Sequence, residues 1–126
     1  MKQFLTLVEQ FQVASDQPVS KLPTNAIANQ NFLRYQLMRE ENKEYMVATQ
    51  NLDKVEILDA CTDMLYILLG TINQHGLQDI IEEAFIRVHV NNMTKIGPDG
   101  KVIRNAEGKI LKPTWFKNVD LTDLIK

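Results

Sequence analysis

The chain has 126 residues, 44% of them hydrophobic and 24% charged, with a formal net charge of −2, proportions that suit one soluble domain, residues 1–126. That balance, with no basic stripe, argues against nucleic-acid binding by phosphate neutralisation, and no apolar run approaches the ~20 residues of a membrane span. The N-terminus lacks the features of a signal peptide, and the single cysteine, Cys61, read as a buried thiol, excludes a disulfide framework and fits a reducing cytoplasm.

Phe4, Leu5, Val8, Phe11 and Val13 recur at helical spacing and predict a first helix from Lys2 to Ala14. Asp16-Gln17-Pro18 ends it, and Pro18 and Pro23 keep the following stretch extended. A second helix is expected from residue 25 or 30 to residue 51, with Leu33, Leu37, Glu41, Glu44 and Ala48 along one face. Two glutamates thus continue a line begun by two leucines.

The third helix is expected over residues 53–73. Asp53 is its cap and Glu56 stands at capping-box spacing. Val55, Leu58, Thr62, Leu65 and Leu69 form one apolar line, and Cys61, Met64 and Leu68 another. At about 100° per residue, Glu56, Asp59 and Asp63 fall within roughly 60° of one another. His75-Gly76 is the expected stop.

A fourth helix is expected over residues 77–90, with Ile80, Ile81, Ala84, Phe85 and Val88 inward. Beyond it, two glycine turns, at Gly97-Pro98-Asp99-Gly100 and Ala106-Glu107-Gly108, frame Val102-Ile103 and Ile110-Leu111 as a short hairpin or wrapping loop. Trp115 and Phe116 are expected to pin this tail onto the body. The fold class is all-α: a four-helix bundle with an irregular or hairpin tail. Its thin core predicts dimerisation through apolar faces.

Acidic residues on helices are usually solvated, and any one of these carboxylates alone has that plain reading. Together they do not. Glu41 and Glu44 lie in register with leucines, and Asp59 and Asp63 flank the small residues Ala60 and Thr62. Uncompensated carboxylates inside a protein are costly. Arg39, Lys43 and Lys54 are the few basic residues near them in sequence. A hard divalent cation, Mg2+ or Mn2+, satisfies several carboxylates at once and suits phosphate chemistry. A di-iron carboxylate centre is disfavoured, because neither His75 nor His89 follows a glutamate by three residues.

The cluster Glu40-Glu41-x-x-Glu44, the run Glu56 to Tyr66, Asn92-Met93-Thr94-Lys95 and Gly108-Lys109-x-x-Lys112-Pro113 together resemble the all-α nucleoside triphosphate pyrophosphohydrolases. That superfamily includes MazG and phosphoribosyl-ATP pyrophosphohydrolase. The resemblance spans residues 11–120 or so and implies a MazG-like bundle that cuts between α- and β-phosphates with a divalent metal. It implies Glu41 and Glu44 as ligands from the first acidic helix. On the second, Asp63 is followed by the expected aliphatic residues, but Ala60 stands three positions before it, whereas Glu56 and Asp59 supply the literal Glu-x-x-Asp. Both remain candidates beside Asp63. Glu40, Glu41 and Glu44 are the catalytic candidates for orienting or deprotonating water. Asn92 and Lys95 are implied in nucleotide binding, with Lys109 and Lys112 adding charge from a tail that clamps the nucleotide.

The expected partners are a nucleotide substrate and further copies of the chain, as a homodimer or homotetramer, with neither nucleic acid nor membrane. The alternative is a non-catalytic nucleotide-binding or oligomeric interaction protein on the same fold.

Overall fold

The structure is a computed structural model that describes residues 1–25 and 29–125. As expected it is all-α, with four α-helices among the described residues: α1 (Lys2–Ala14), α2 (Gln30–Gln50), α3 (Lys54–Gln74) and α4 (Ile81–Met93). A single-turn 3-10 helix, Thr122–Leu124, lies near the C-terminus. The chain forms two compact units, Met1–Asp79 and Ile80–Lys126.

In the first unit α3 is the central helix, packed along α2 and against α1. Asp53 caps it as the sequence predicts: its Oδ1 accepts from the amides of Val55 and Glu56 at 3.0 and 3.1 Å. Three helices end in the same way. Asp16, Leu52 and Gly76 each take positive φ, at 58°, 54° and 68°. In each case the next amide reaches back to the last turn: Gln17 N to Gln12 O, Asp53 N to Ala48 O, and Leu77 N to Ile72 O. Glycine is required at position 76, where a Cβ would meet Leu22 O at 2.1 Å. The segment after α1 lies over the end of α3. Ser20 N donates to Asn73 O, Thr24 N donates to His75 O, and the His75 Nδ1–H donates to Thr24 O at 2.7 Å.

The core differs from the apolar lines in the sequence. Its buried hydrophobic residues are Leu5, Val8, Ala48, Ala60, Leu69 and Ile72, and Gln12, Arg34, Asn73 and Gln74 are buried with them. Three of these polar groups, Gln12, Arg34 and Asn73, are bonded across helices. Gln12 Nε2 donates to Gly70 O at 2.9 Å, and Asn73 Nδ2 donates to Leu5 O at 3.0 Å and Gln12 Oε1 at 3.2 Å. Gly70 makes this possible, because a Cβ there would stand 2.8 Å from Arg34 Nη2 and 3.0 Å from Gln12 Nε2.

Several expectations are corrected here. Phe4, Phe11, Val13, Leu33, Val55, Leu58 and Leu65 are exposed, although their spacing assigned them inward positions. A helical stripe is wider than the contact that a small three-helix unit can make, so only its centre is covered. Cys61 is exposed rather than a buried thiol. Of the two starts considered for α2, the structure takes Gln30; the candidate residues 26–28 lie outside the described residues.

In the second unit, α4 begins four residues later than expected and extends through Asn92 to Met93. None of its residues is buried, and Phe85 is 67% exposed, so the inner face predicted for it is not covered. Discrete contacts hold the tail instead. Arg87 bonds Glu83 one turn earlier and makes a two-pronged pair with Asp123, at 2.6 and 2.9 Å. Trp115 Nε1 donates to Thr94 O at 2.6 Å, which ties the tail to the end of α4 within this unit. The hairpin reduces to one isolated antiparallel bridge between Arg104 and Ile110.

Candidate metal centre

The close packing of α2 on α3 brings their acidic residues together. One carboxylate oxygen from each of Glu41, Glu44 and Asp63 lies within 4.8 Å of the others. Glu41 and Asp63 are half-buried and Glu44 is exposed. Glu41 and Glu44 stand one turn apart on α2, so they share a face, and Asp63 meets them from the middle of α3.

The electrostatics are unfavourable without a cation. Burial pushes the Glu41 carboxyl up to about 7, and the hydrogen bond to Glu44 and the charges of Glu44, Asp63 and Asp59 act in the same direction. Glu41 Oε2 is shielded from solvent and has no hydrogen-bond partner among the described residues. This orphaned acceptor, in an all-oxygen set whose spacing suits shared bonds of about 2.0–2.6 Å, fits a hard divalent ion.

The other predicted residues are placed as follows. Asp59 is exposed and close enough for its charge to act on Glu41. Glu56 is exposed and lines a hollow of about 340 Å³ with Lys43, Glu44 and Asn51. Glu40 is exposed on α2, outside the three-carboxylate group. In the second unit, the Lys95 and Lys112 ammonium groups lie 5.2 and 5.7 Å from the Phe116 ring centroid, so two of the predicted substrate lysines converge there. Asn92 and Lys109 are exposed, and the Lys109 amide donates to Asn105 Oδ1.

Arg34 is the residue that the sequence reading missed. It is 6% exposed, with Nε donating to Thr71 Oγ1 at 3.1 Å and Nη2 to Ile67 O at 2.7 Å. The signal was present in the spacing. Seven residues are nearly two full turns, so Arg34 stands roughly 20° from Glu41 around α2, whereas Leu33 stands roughly 80° away.

No curated protein matches the chain. The family model described as phosphoribosyl-ATP pyrophosphohydrolase matches residues 6–92, which include α1 from residue 6 onward, all of α2 and α3, and the whole carboxylate cluster. The chain belongs to that family, within the MazG-like all-α nucleoside triphosphate pyrophosphohydrolase superfamily.

Proposed function

We propose that the protein hydrolyses a nucleoside triphosphate, or a related nucleotide, between its α- and β-phosphates to a monophosphate and pyrophosphate, with Mg2+ or Mn2+ as cofactor. The observation that carries this reading is the Glu41–Glu44–Asp63 group with its orphaned Glu41 oxygen, in a chain whose family is one of nucleotide pyrophosphohydrolases. Glu41, Glu44 and Asp63 would hold the ion, with Asp59 and Glu56 close enough to extend the set. The ion supplies positive charge that offsets the phosphate oxygens and polarises the phosphorus under attack.

The protein's own part is to orient water and take its proton. Water oxygen bonds to phosphorus, the bridging P–O bond breaks, and pyrophosphate leaves with the bond's electron pair. A glutamate of the first cluster, Glu40, Glu41 or Glu44, receives the proton. Asn92, Lys95, Lys109 and Lys112 are proposed to bind substrate, an amide for base or sugar and ammonium groups for phosphates.

The same reading takes residues 1–126 as one catalytic domain in the cytoplasm, assembled as a homodimer or homotetramer. Support for assembly comes from the large apolar side chains left exposed on α1 and α3, among them Phe4, Leu7, Leu58, Leu65 and Leu68. Light scattering at micromolar concentration tests it, and a monomer would remove the assembly claim.

The experiment for the activity is a screen of common and modified triphosphates with Mg2+, with phosphate and pyrophosphate measured separately. Release of pyrophosphate and monophosphate in equal amounts is the expected outcome. Binding without turnover would select the non-catalytic alternative.

A further inference from the structure

We propose that the cavity between α1, α2 and α3 is the nucleoside pocket, and that Arg34 selects bases presenting a carbonyl oxygen. This rests on the pyrophosphohydrolase reading of the neighbouring carboxylates and assigns the part of the substrate that they do not touch.

The cavity has a volume of about 410 Å³ and lies wholly within the first unit, in the range of small-molecule sites. Phe11, Leu33, Leu37 and Tyr66 give it apolar and aromatic walls, and Gln17 and Arg34 give it a polar side. Phe11 and Tyr66 meet edge to face, their centroids 6.0 Å apart, which fixes two flat surfaces at its rim. Such walls accept a base face, and the polar side accepts its edge.

Arg34 carries the argument. A buried guanidinium normally has a carboxylate partner, since burying a charge without one is costly. Arg34 has none among the described residues: its partners there are the Thr71 hydroxyl, the Ile67 carbonyl and, at 3.5 Å, the Gln17 amide oxygen. Only burial acts on its ionisation, and it acts to lower it. Three of its five N–H groups are used, and the other two belong to the terminal nitrogens of a side chain that lines the cavity. A tie between α2 and α3 needs only the groups already bonded. The remaining donors call for an acceptor in the cavity.

Position sets what that acceptor belongs to. Arg34 precedes Glu41 by seven residues, about 10 Å along α2. On α3, Ile67 and Gly70 of the cavity wall follow Asp63 by one and two turns. The cavity therefore continues the α2–α3 groove from the carboxylates: its wall begins one turn away at Leu37 and Tyr66, and Arg34 stands about 10 Å along, close to the span from a nucleotide's α-phosphate to the far edge of its base. A phosphate at the carboxylates places the base at Arg34. A guanidinium only donates, so its fork pairs with the two acceptors, O6 and N7, of guanine or with a carbonyl of uracil or thymine, whereas adenine sets a donating amine beside each ring-nitrogen acceptor on that edge and satisfies only one prong.

The test is calorimetric binding of GMP, UMP and AMP to the whole chain without metal, beside Mg2+ binding measured separately. Wild-type protein is expected to bind GMP or UMP at least tenfold more tightly than AMP. Arg34→Lys should reduce that preference. Because a change at a buried position can impair folding, Leu33→Trp provides a second route: Leu33 is 40% exposed at the wall, so the larger ring narrows the cavity from its rim. It is expected to weaken GMP or UMP binding tenfold or more with Mg2+ binding unchanged. The proposal is overturned if no monophosphate binds, if AMP binds as well as GMP and UMP, or if Leu33→Trp leaves nucleotide binding intact. It is also overturned if Arg34→Lys weakens inorganic pyrophosphate binding and leaves base preference alone. Base-selective binding lost in Leu33→Trp, in a protein that releases no pyrophosphate, would sustain the pocket and sink the catalytic reading. Pyrophosphate release unaffected by either variant would do the reverse.

Discussion

The two units of this chain are held together by different physics. Met1–Asp79 buries apolar side chains around α3 and closes that core with a polar network of Gln12, Arg34, Asn73 and Gln74. Ile80–Lys126 has no buried residue on its helix and relies on separate ties: Arg87 with Asp123, Trp115 with Thr94, and Phe116 with two lysines. Burial is cooperative and rigid, and it can hold carboxylates together against their repulsion. Exposed ties are individually weak. The crowded acidic group accordingly sits in the first unit, and the lysines proposed to bind substrate, Lys95, Lys109 and Lys112, sit on the second.

The sharpest way to break this comparison is at the acidic group. Glu44→Gln keeps shape and removes one charge; it is expected to lower kcat/KM at least a hundredfold, about 2.7 kcal/mol, with helical content unchanged by circular dichroism. Mg2+ affinity should fall with it in calorimetry. Parent-like binding and turnover would mean that the site is misplaced.

Gly70→Ala tests the rigidity of the polar core. The added methyl group meets Arg34 and Gln12 head on, and destabilisation of about 1–3 kcal/mol in urea unfolding is expected. An unchanged midpoint would show that the core yields where it is described as tight.

In the second unit, Lys95→Ala is expected to weaken substrate binding or turnover about tenfold, ~1.4 kcal/mol, while the first unit stays folded. Steady-state kinetics with a matched melting curve separates the two effects.

The acidic group also predicts a pH dependence. The Glu41 carboxyl is raised to about 7 in the folded protein, above its ordinary value of roughly 4.3. Between those values the folded state binds more protons than the unfolded one, so metal-free stability should fall as pH rises through that window. Glu41→Gln should flatten the slope in urea titrations at pH 5 and 7. Saturating Mg2+ should oppose it, because the cation favours the charged carboxylates. A parent-like slope in the variant would place the titration elsewhere.

The smallest effect is expected at Arg87. Arg87→Ala should increase hydrogen exchange near residues 120–125 and leave the first unit's melting unchanged, as separate ties imply. Loss of stability in both units would show that the tie is shared.

Much of this protein was legible in its sequence because the signals are local. The Asp53 cap, the Gly76 stop and the pairing of Glu41 with Glu44 on one face depend on residues within a turn or two of each other. The acid-rich segments marked α2 and α3 as the site-bearing helices for the same reason. The resemblance already singled out Asp63; tertiary structure alone decided that Asp59 and Glu56 stay outside its close group with Glu41 and Glu44, since small rotations on α3 settle which carboxylate meets α2. It also decided that Gln12 and Arg34 go inside while Phe11 and Leu33 stay exposed. Apolar spacing ranks faces by hydrophobicity, but in a unit of three helices the covered face is the one whose groups can be bonded across the contact, and Gly70 opens that contact to an amide and a guanidinium.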